Sequence, residues 1–194
     1  MTPELYFYNC SQEYIDSIDP ALYEDVLKIT SKLPKRKTQS EINVDLFWML
    51  TAKGWSFDTT PPATNEFPPD NLPIQKVNLN EIKKNNSRDY CVTSSTLEAK
   101  WHSDFAKLYD GSLVQLEVQF GKVESMFKDF CGFKIAGYER RLALGIEIVM
   151  SEPSKYFSHR KSSVSGMAYF DIAKKTLPAI GFDCPIWLIG LTPS

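Results

Sequence analysis

Asp110-Gly111 constrains this chain more than any other pair of residues. The dipeptide stands between two strand-like runs, Leu97 to Tyr109 and Ser112 to Phe120, and Asp-Gly in that setting is a strong short-range hairpin signal. A two-residue loop pairs Tyr109 with Ser112. Counting back along the ladder sets Asp104 opposite Glu117 and His102 opposite Gln119. Directly opposed side chains on one face have Cβ atoms roughly 4.5–5.5 Å apart. Two carboxylates and an amide therefore converge on one side of the hairpin. Carboxylates that close repel each other unless a cation lies between them, and hard oxygen ligands suit a divalent ion such as magnesium.

The 194 residues suffice for one domain with a substantial core. A hydrophobic content of 43%, with 13% aromatic, marks a folded globular chain. The formal net charge of −2 supplies no bulk attraction for nucleic acid, so any basic surface must be local. Cys10, Cys91, Cys131 and Cys184 are widely spaced and form no Cys-x-x-Cys pair. That spacing excludes an ordinary zinc motif and gives no disulfide framework. Glu4 comes early and no apolar run of signal-peptide length is present. No stretch approaches the roughly 20 apolar residues of a membrane span. The expectation is a soluble cytoplasmic protein with reduced thiols and no membrane partner.

Residues 12–33 carry apolar side chains at helical spacing, with Pro20 opening a second helical piece at Ala21. Ser40 is a plausible N-cap for a helix from Glu41 to Lys53, and Gly54 a good stop for it. Trp55 to Phe57 reads as a short strand. Five prolines between residues 60 and 73 preclude regular structure there. Tyr90 to Thr93 reads as a strand, the run from Lys122 as a helix, and Met167 to Thr176 as another. Leu142 to Met150 is an apolar strand buried on both faces, interrupted by Glu147, which must be paired or at an edge. Ile186 to Leu191 is a final strand. The order predicts an α/β fold, a central mixed β-sheet flanked by helices, in one domain spanning 1–194. Residues 1–39 form its helical N-terminal part and 40–191 its core, with the proline-rich insertion near 60–73.

Along the second hairpin strand Leu116, Val118 and Phe120 face one way, and Gln115, Glu117 and Gln119 the other. The ordinary reading of such a stripe is the solvent face of a half-buried sheet. Three observations weigh against it. Gly121 and a helix follow the strand, where a surface turn would be expected. An acid stands at the mirrored position of the partner strand. The strands that come next are strongly apolar, so the hairpin is central, where polar residues need a reason.

An acidic residue on one strand followed by Glu-x-Lys on the next is the pattern of the restriction-endonuclease-like, PD-(D/E)xK, nucleases. Glu117-Val118-Gln119 is similar to the variant with glutamine in the lysine position, found in the BglII-like group of Type II restriction enzymes. The likeness extends to Glu-Val-Gln-Phe-Gly at 117–121, to the helix after it, to Gly145-Ile146-Glu147-Ile148-Val149, and to the upstream helix ending in Lys53-Gly54-Trp55. It covers roughly residues 40–190, apart from the proline-rich stretch. The resemblance implies a Mg²⁺-dependent endonuclease that cuts double-stranded DNA at a specific site and works as a homodimer. It makes Asp104 and Glu117 the metal-binding carboxylates, adds the carbonyl of Val118, and puts Gln119 in the place of lysine. Asp110, seven residues before Glu117, competes with Asp104 for the first acid. Glu41 resembles an accessory acid of the upstream helix, although an acid in a first turn also suits the helix dipole. His102 is the nearest candidate helper, its alternative being an ordinary half-exposed strand histidine.

Gln119 brings no positive charge, so its part is to orient a water by hydrogen bonding. That substitution also leaves open a DNA-binding protein on a decayed nuclease fold. A repair or junction nuclease with the same core is a further alternative. Local basic clusters lie at Lys35-Arg36-Lys37, at Lys83-Lys84 with Arg88, and at Lys155 with His159-Arg160-Lys161. Each is ordinarily a solvated loop. The last resembles a loop that contributes to sequence reading, which makes Arg160, Lys161 and Ser163 the first candidates for DNA contact and Asn85 and Asn86 the second.

Overall fold

Asp110 and Gly111 form the hairpin turn with φ of +44° and +87°. A two-residue turn of this hand needs positive φ at both positions, which Gly takes without a Cβ penalty and Asp tolerates. The turn joins β3 (Phe105–Tyr109) to β4 (Ser112–Val118), antiparallel, with Tyr109 against Ser112 and Phe105 against Leu116. The computed structural model describes residues 1–58, 64, 67–97, 101–157 and 164–192.

The hairpin lies within a six-stranded mixed sheet. The other strands are β1 (Thr2–Tyr8), β2 (Ser56–Phe57), β5 (Leu142–Met150) and β6 (Ile186–Thr192), and the order is β1-β6-β5-β4-β3-β2. β4, β5 and β6 run parallel, while β1 and β2 close the edges antiparallel to their neighbours. Parallel neighbours need a crossover, and α5 (Val123–Arg140) supplies the one between β4 and β5. The short α6 (Pro153–Tyr156) and α7 (Phe170–Ala179) lie on the route from β5 to β6. β5 is apolar because both its faces are covered.

One face of the sheet packs on α1 (Gln12–Ile18), α2 (Leu22–Lys32) and α3 (Gln39–Thr51), through Ile15, Val26, Phe47, Trp48 and Leu50. The other face packs on α5 and α7 through Met126, Phe130, Phe133 and Leu177. Full burial of side chains of this size stabilises by roughly 1.5–3 kcal/mol each. A short α4 (Leu79–Asn85) precedes a 3₁₀ turn at Arg88–Cys91. Asn86 between them clips the sheet edge: its Oδ1 accepts from Phe57 N–H at 2.9 Å and its Nδ2 donates to Phe57 O at 2.8 Å.

Four elements differ from expectation. The N-terminal part is not purely helical, because Thr2–Tyr8 adds an edge strand to β6. The run at Tyr90 to Thr93 is not a strand; it belongs to the 3₁₀ turn, and only Val92 bridges, to His102. β3 starts at Phe105, well after Leu97. The upstream helix starts two residues before Glu41, because Thr38 caps it rather than Ser40: Thr38 Oγ1 accepts from Glu41 N–H while Glu41 Oε2 accepts from Thr38 N–H, a reciprocal capping box.

Candidate active site

The β3–β4 ladder continues one step past Phe105 and Leu116. Asp104 N–H donates to Glu117 Oε2 at 3.1 Å, and Val118 N–H donates to Asp104 Oδ2 at 3.0 Å. These two bonds hold the carboxylates side by side, so the hairpin count is right at this position. The row extends on both sides. Glu117 is in register with Glu147 on β5, and Asp58, just beyond β2, donates its N–H to Asp104 O at 3.1 Å. Glu147, Glu117, Asp104 and Asp58 thus run across four adjacent strands.

Each acid has a different environment. Asp58 Oδ1 accepts from Arg88 Nη2 at 2.8 Å and meets His102 Nδ1 at 2.8 Å. Burial works to raise its pKa, but these two partners outweigh it and leave it below the usual value. Asp104 is raised, chiefly by burial and against the pull of the Val118 N–H. Burial, then Asp104 and Asp129, push Glu117 well up. Glu147 is fully buried and neither oxygen has a hydrogen-bond partner. Burial, then the neighbouring acids, push its pKa well up too. The expectation that Glu147 is paired or at an edge is therefore wrong: it is unpaired in the interior of a central strand.

α5 forms the opposite wall. Asp129 lies on its core stripe with Met126, Phe130 and Phe133, and burial above all raises it to about 6. Gln119 Nε2 donates to Asp129 Oδ2 at 2.6 Å, and Gln119 Oε1 accepts from Gly121 N–H at 2.8 Å. A Cβ on Gly121 would stand 2.7 Å from that Oε1, so the amide folds back only because residue 121 has no side chain. Lys128 is the other α5 side chain at the site, with its ammonium 5.6 Å from the centre of the Trp101 ring. Asp58, Trp101, His102, Asp104, Glu117, Val118, Gln119, Lys128 and Asp129 line one polar cleft of about 360 Å³.

Asp104, Glu117, Val118, Gln119 and His102 thus meet in one place. His102 arrives there by bridging Val92 and binding Asp58, in place of the cross-strand pairing with Gln119 that the hairpin count predicts. The backbone leaves the ladder before that level, where Gln119 N–H donates to Ile148 O at 2.9 Å. Other candidates lie elsewhere. Asp110 is exposed at the hairpin tip, at the opposite end of the ladder from Glu117. Glu41 is occupied by its capping box and does not line the cleft. Asn86 serves the edge of β2, and Asn85 lines a separate hollow with Trp55 and Val77. Arg36 grips buried Asp45 through two bonds, Nε at 2.6 Å and Nη2 at 2.8 Å. Lys155 pairs with Glu152. Arg160, Lys161 and Ser163 lie outside the described residues.

Asp58, Trp101, Lys128 and Asp129 are the cleft residues that the sequence reading missed. Asp129 had a signal, an acid at a core position of an otherwise apolar helical stripe. Asp58 and Lys128 had none short of a register and a helix phase.

The donor chemistry fits a hard divalent cation. Two adjacent carboxylates have pKa values raised by burial, and Glu117 further by Asp104, a cost that a cation between them relieves. Among the described residues no three or more His, Cys, Asp or Glu side chains are grouped to hold a metal ion. A site with two carboxylates, completed by backbone oxygen, water and substrate, matches the habit of magnesium rather than of a full protein cage.

Three comparisons with known proteins bear on this arrangement. The family described as "Restriction endonuclease BglII/BglIII" matches residues 4–191. The crystal structure of restriction endonuclease BglII complexed with a DNA 16-mer superposes with a TM-score of 0.63 at 15% identity, covering 100% of this chain and 78% of that one. No curated protein sequence matches. With its fold that of the restriction endonucleases and the family match running from Glu4 to Leu191, this chain belongs to the BglII/BglIII restriction endonuclease family.

Proposed function

We propose that this site-specific deoxyribonuclease hydrolyses double-stranded DNA in a Mg²⁺-dependent reaction at the cleft between β3, β4 and α5. The observation that carries the proposal is the pair Asp104 and Glu117, held together by Asp104 N–H on the Glu117 carboxylate and Val118 N–H on the Asp104 carboxylate, and both raised in pKa. A solved structure of similar fold was crystallised with DNA, which supports DNA as the substrate.

Asp104, Glu117 and the carbonyl of Val118 would hold the metal. When bound, Mg²⁺ lowers the pKa of water and offsets charge on the phosphoryl oxygens. The remaining steps belong to the chain. Gln119 has one N–H on Asp129 and presents the other to the attacking water. Asp129 fixes the rotamer of that amide. The water oxygen forms the new bond to phosphorus as the bond to the 3′ oxygen breaks, leaving a 5′ phosphate and a 3′ hydroxyl. Two copies of the chain, one per strand, make the double-strand cut, with Arg160, Lys161 and Ser163 as the first candidates for reading bases.

The test is incubation of bacteriophage DNA with the protein and Mg²⁺. Discrete fragments are expected, absent in EDTA and absent with Glu117→Ala. Undiminished cutting by that variant rejects the site, and a smear indicates a nuclease that tolerates many sequences. Specific binding in Ca²⁺ with no cutting in Mg²⁺ or Mn²⁺ turns the reading towards a non-catalytic DNA-binding protein.

A further inference from the structure

The cleft is short of positive charge. Asp58, Asp104, Glu117 and Asp129 all line it, and Gln119 is neutral at the position that the Glu-x-Lys pattern fills with lysine. A phosphodiester gains charge on its oxygens as the water attacks. In-cleft hydrogen-bond donors aimed at that charge are worth far more than donors in bulk water.

Lys128 is the only lysine or arginine lining the cleft among the described residues. It projects from the second turn of α5, beside Asp129, whose carboxylate is taken up by Gln119. Its ammonium makes no ion pair with any described residue, in a cleft of four carboxylates, and it rests on the Trp101 face. Trp101 is itself anchored, because its carbonyl accepts from Thr93 N–H at 2.9 Å and from Thr93 Oγ1 at 2.7 Å. The chain from Thr93 to Trp101 to Lys128 therefore preorganises a cation that no protein acid consumes.

We propose that Lys128 is a catalytic residue that donates to a non-bridging oxygen of the scissile phosphate and supplies, from α5, the positive charge missing at Gln119. It transfers no proton in this role.

This inference rests on the nuclease reading above, and the experiment separates the two. Wild type, Lys128→Met and Lys128→Arg are compared in single-turnover cleavage of plasmid DNA with Mg²⁺, and in DNA binding with Ca²⁺. For Lys128→Met the expected result is a fall in rate on the order of 10²–10³-fold. Its DNA affinity in Ca²⁺ should stay within threefold of wild type and its melting temperature should be unchanged. Lys128→Arg should recover most of the rate, because it restores the charge. A rate for Lys128→Met within threefold of wild type overturns the proposal. So does a loss of binding that matches the loss of rate, since Lys128 would then only hold DNA. Absence of cutting by wild type rejects the nuclease reading and this inference together.

Discussion

Glu147 shows what a single side chain costs in this sheet. It is buried among acids and finds no hydrogen-bond partner. Replacing a buried unsatisfied polar group by an apolar one of similar size removes a penalty of about 1–3 kcal/mol. Glu147→Met should therefore raise the melting temperature of the metal-free protein, measured by calorimetry; a lower value would mean that the carboxyl is satisfied in solution. Gly121 gives the opposite case. A Cβ there meets Gln119 Oε1 at 2.7 Å, so Gly121→Ala forces the amide off Asp129. Cleavage should drop at least tenfold with little change in Ca²⁺-supported DNA binding. Asp104 and Glu117 were legible in the sequence because a two-residue turn fixes register, and register fixes opposition. The release of Gln119 from the β3 ladder was not, because β4 goes on pairing with β5 past the point where its pairing with β3 stops.

At the scale of elements, α3 begins at Thr38 for a local reason, and that reason reassigns Glu41. The glutamate satisfies N–H groups at the helix start, a structural duty distinct from catalysis. Thr38→Ala should cost about 1 kcal/mol in stability. Glu41→Ala should bring a similar loss while leaving the cleavage rate per folded molecule unchanged, as urea titration paired with a cleavage assay would show. A selective loss of rate would restore the accessory-acid reading. α3 reaches the site by another route, a bond from Gln39 Nε2 to the carbonyl of Phe120. The strands β4, β5 and β6 and the helix α5 were all visible as apolar patterns. β1 was not, since only its long-range pairing with β6 makes a strand of seven residues none of which is fully buried.

For the whole molecule the acids set a pH signature. Asp104, Glu117, Asp129 and Glu147 are all raised on folding, so at these four groups the folded chain holds more protons than the unfolded one. By linkage, metal-free stability then falls as pH rises. For Asp129 alone, at about 6 against an ordinary 3.8, the cost is complete above pH 6 and amounts to something on the order of 3 kcal/mol. It is relieved as pH falls from 6 towards 3.8. Asp58, lowered by its cations, works the other way and loses its contribution as pH falls through its own low pKa. Melting temperature without metal should therefore rise from pH 7.5 to about 5.5, and Mg²⁺ should flatten that rise by occupying the acids that would otherwise take protons. An unchanged melting temperature over that range would show the acids to be solvated. The mixed α/β plan could be read from the order of patterns, whereas the convergence of α5 side chains on the cleft required the crossover between β4 and β5 to be built.

The Asn86 clip on Phe57 reaches further than its two bonds. A side-chain amide that mimics one residue of a neighbouring strand terminates the ladder, so β2 has no free donor and acceptor at Phe57 with which to recruit an extended segment from another molecule. Strand addition by another molecule is thereby blocked at Phe57 on that flank of the sheet.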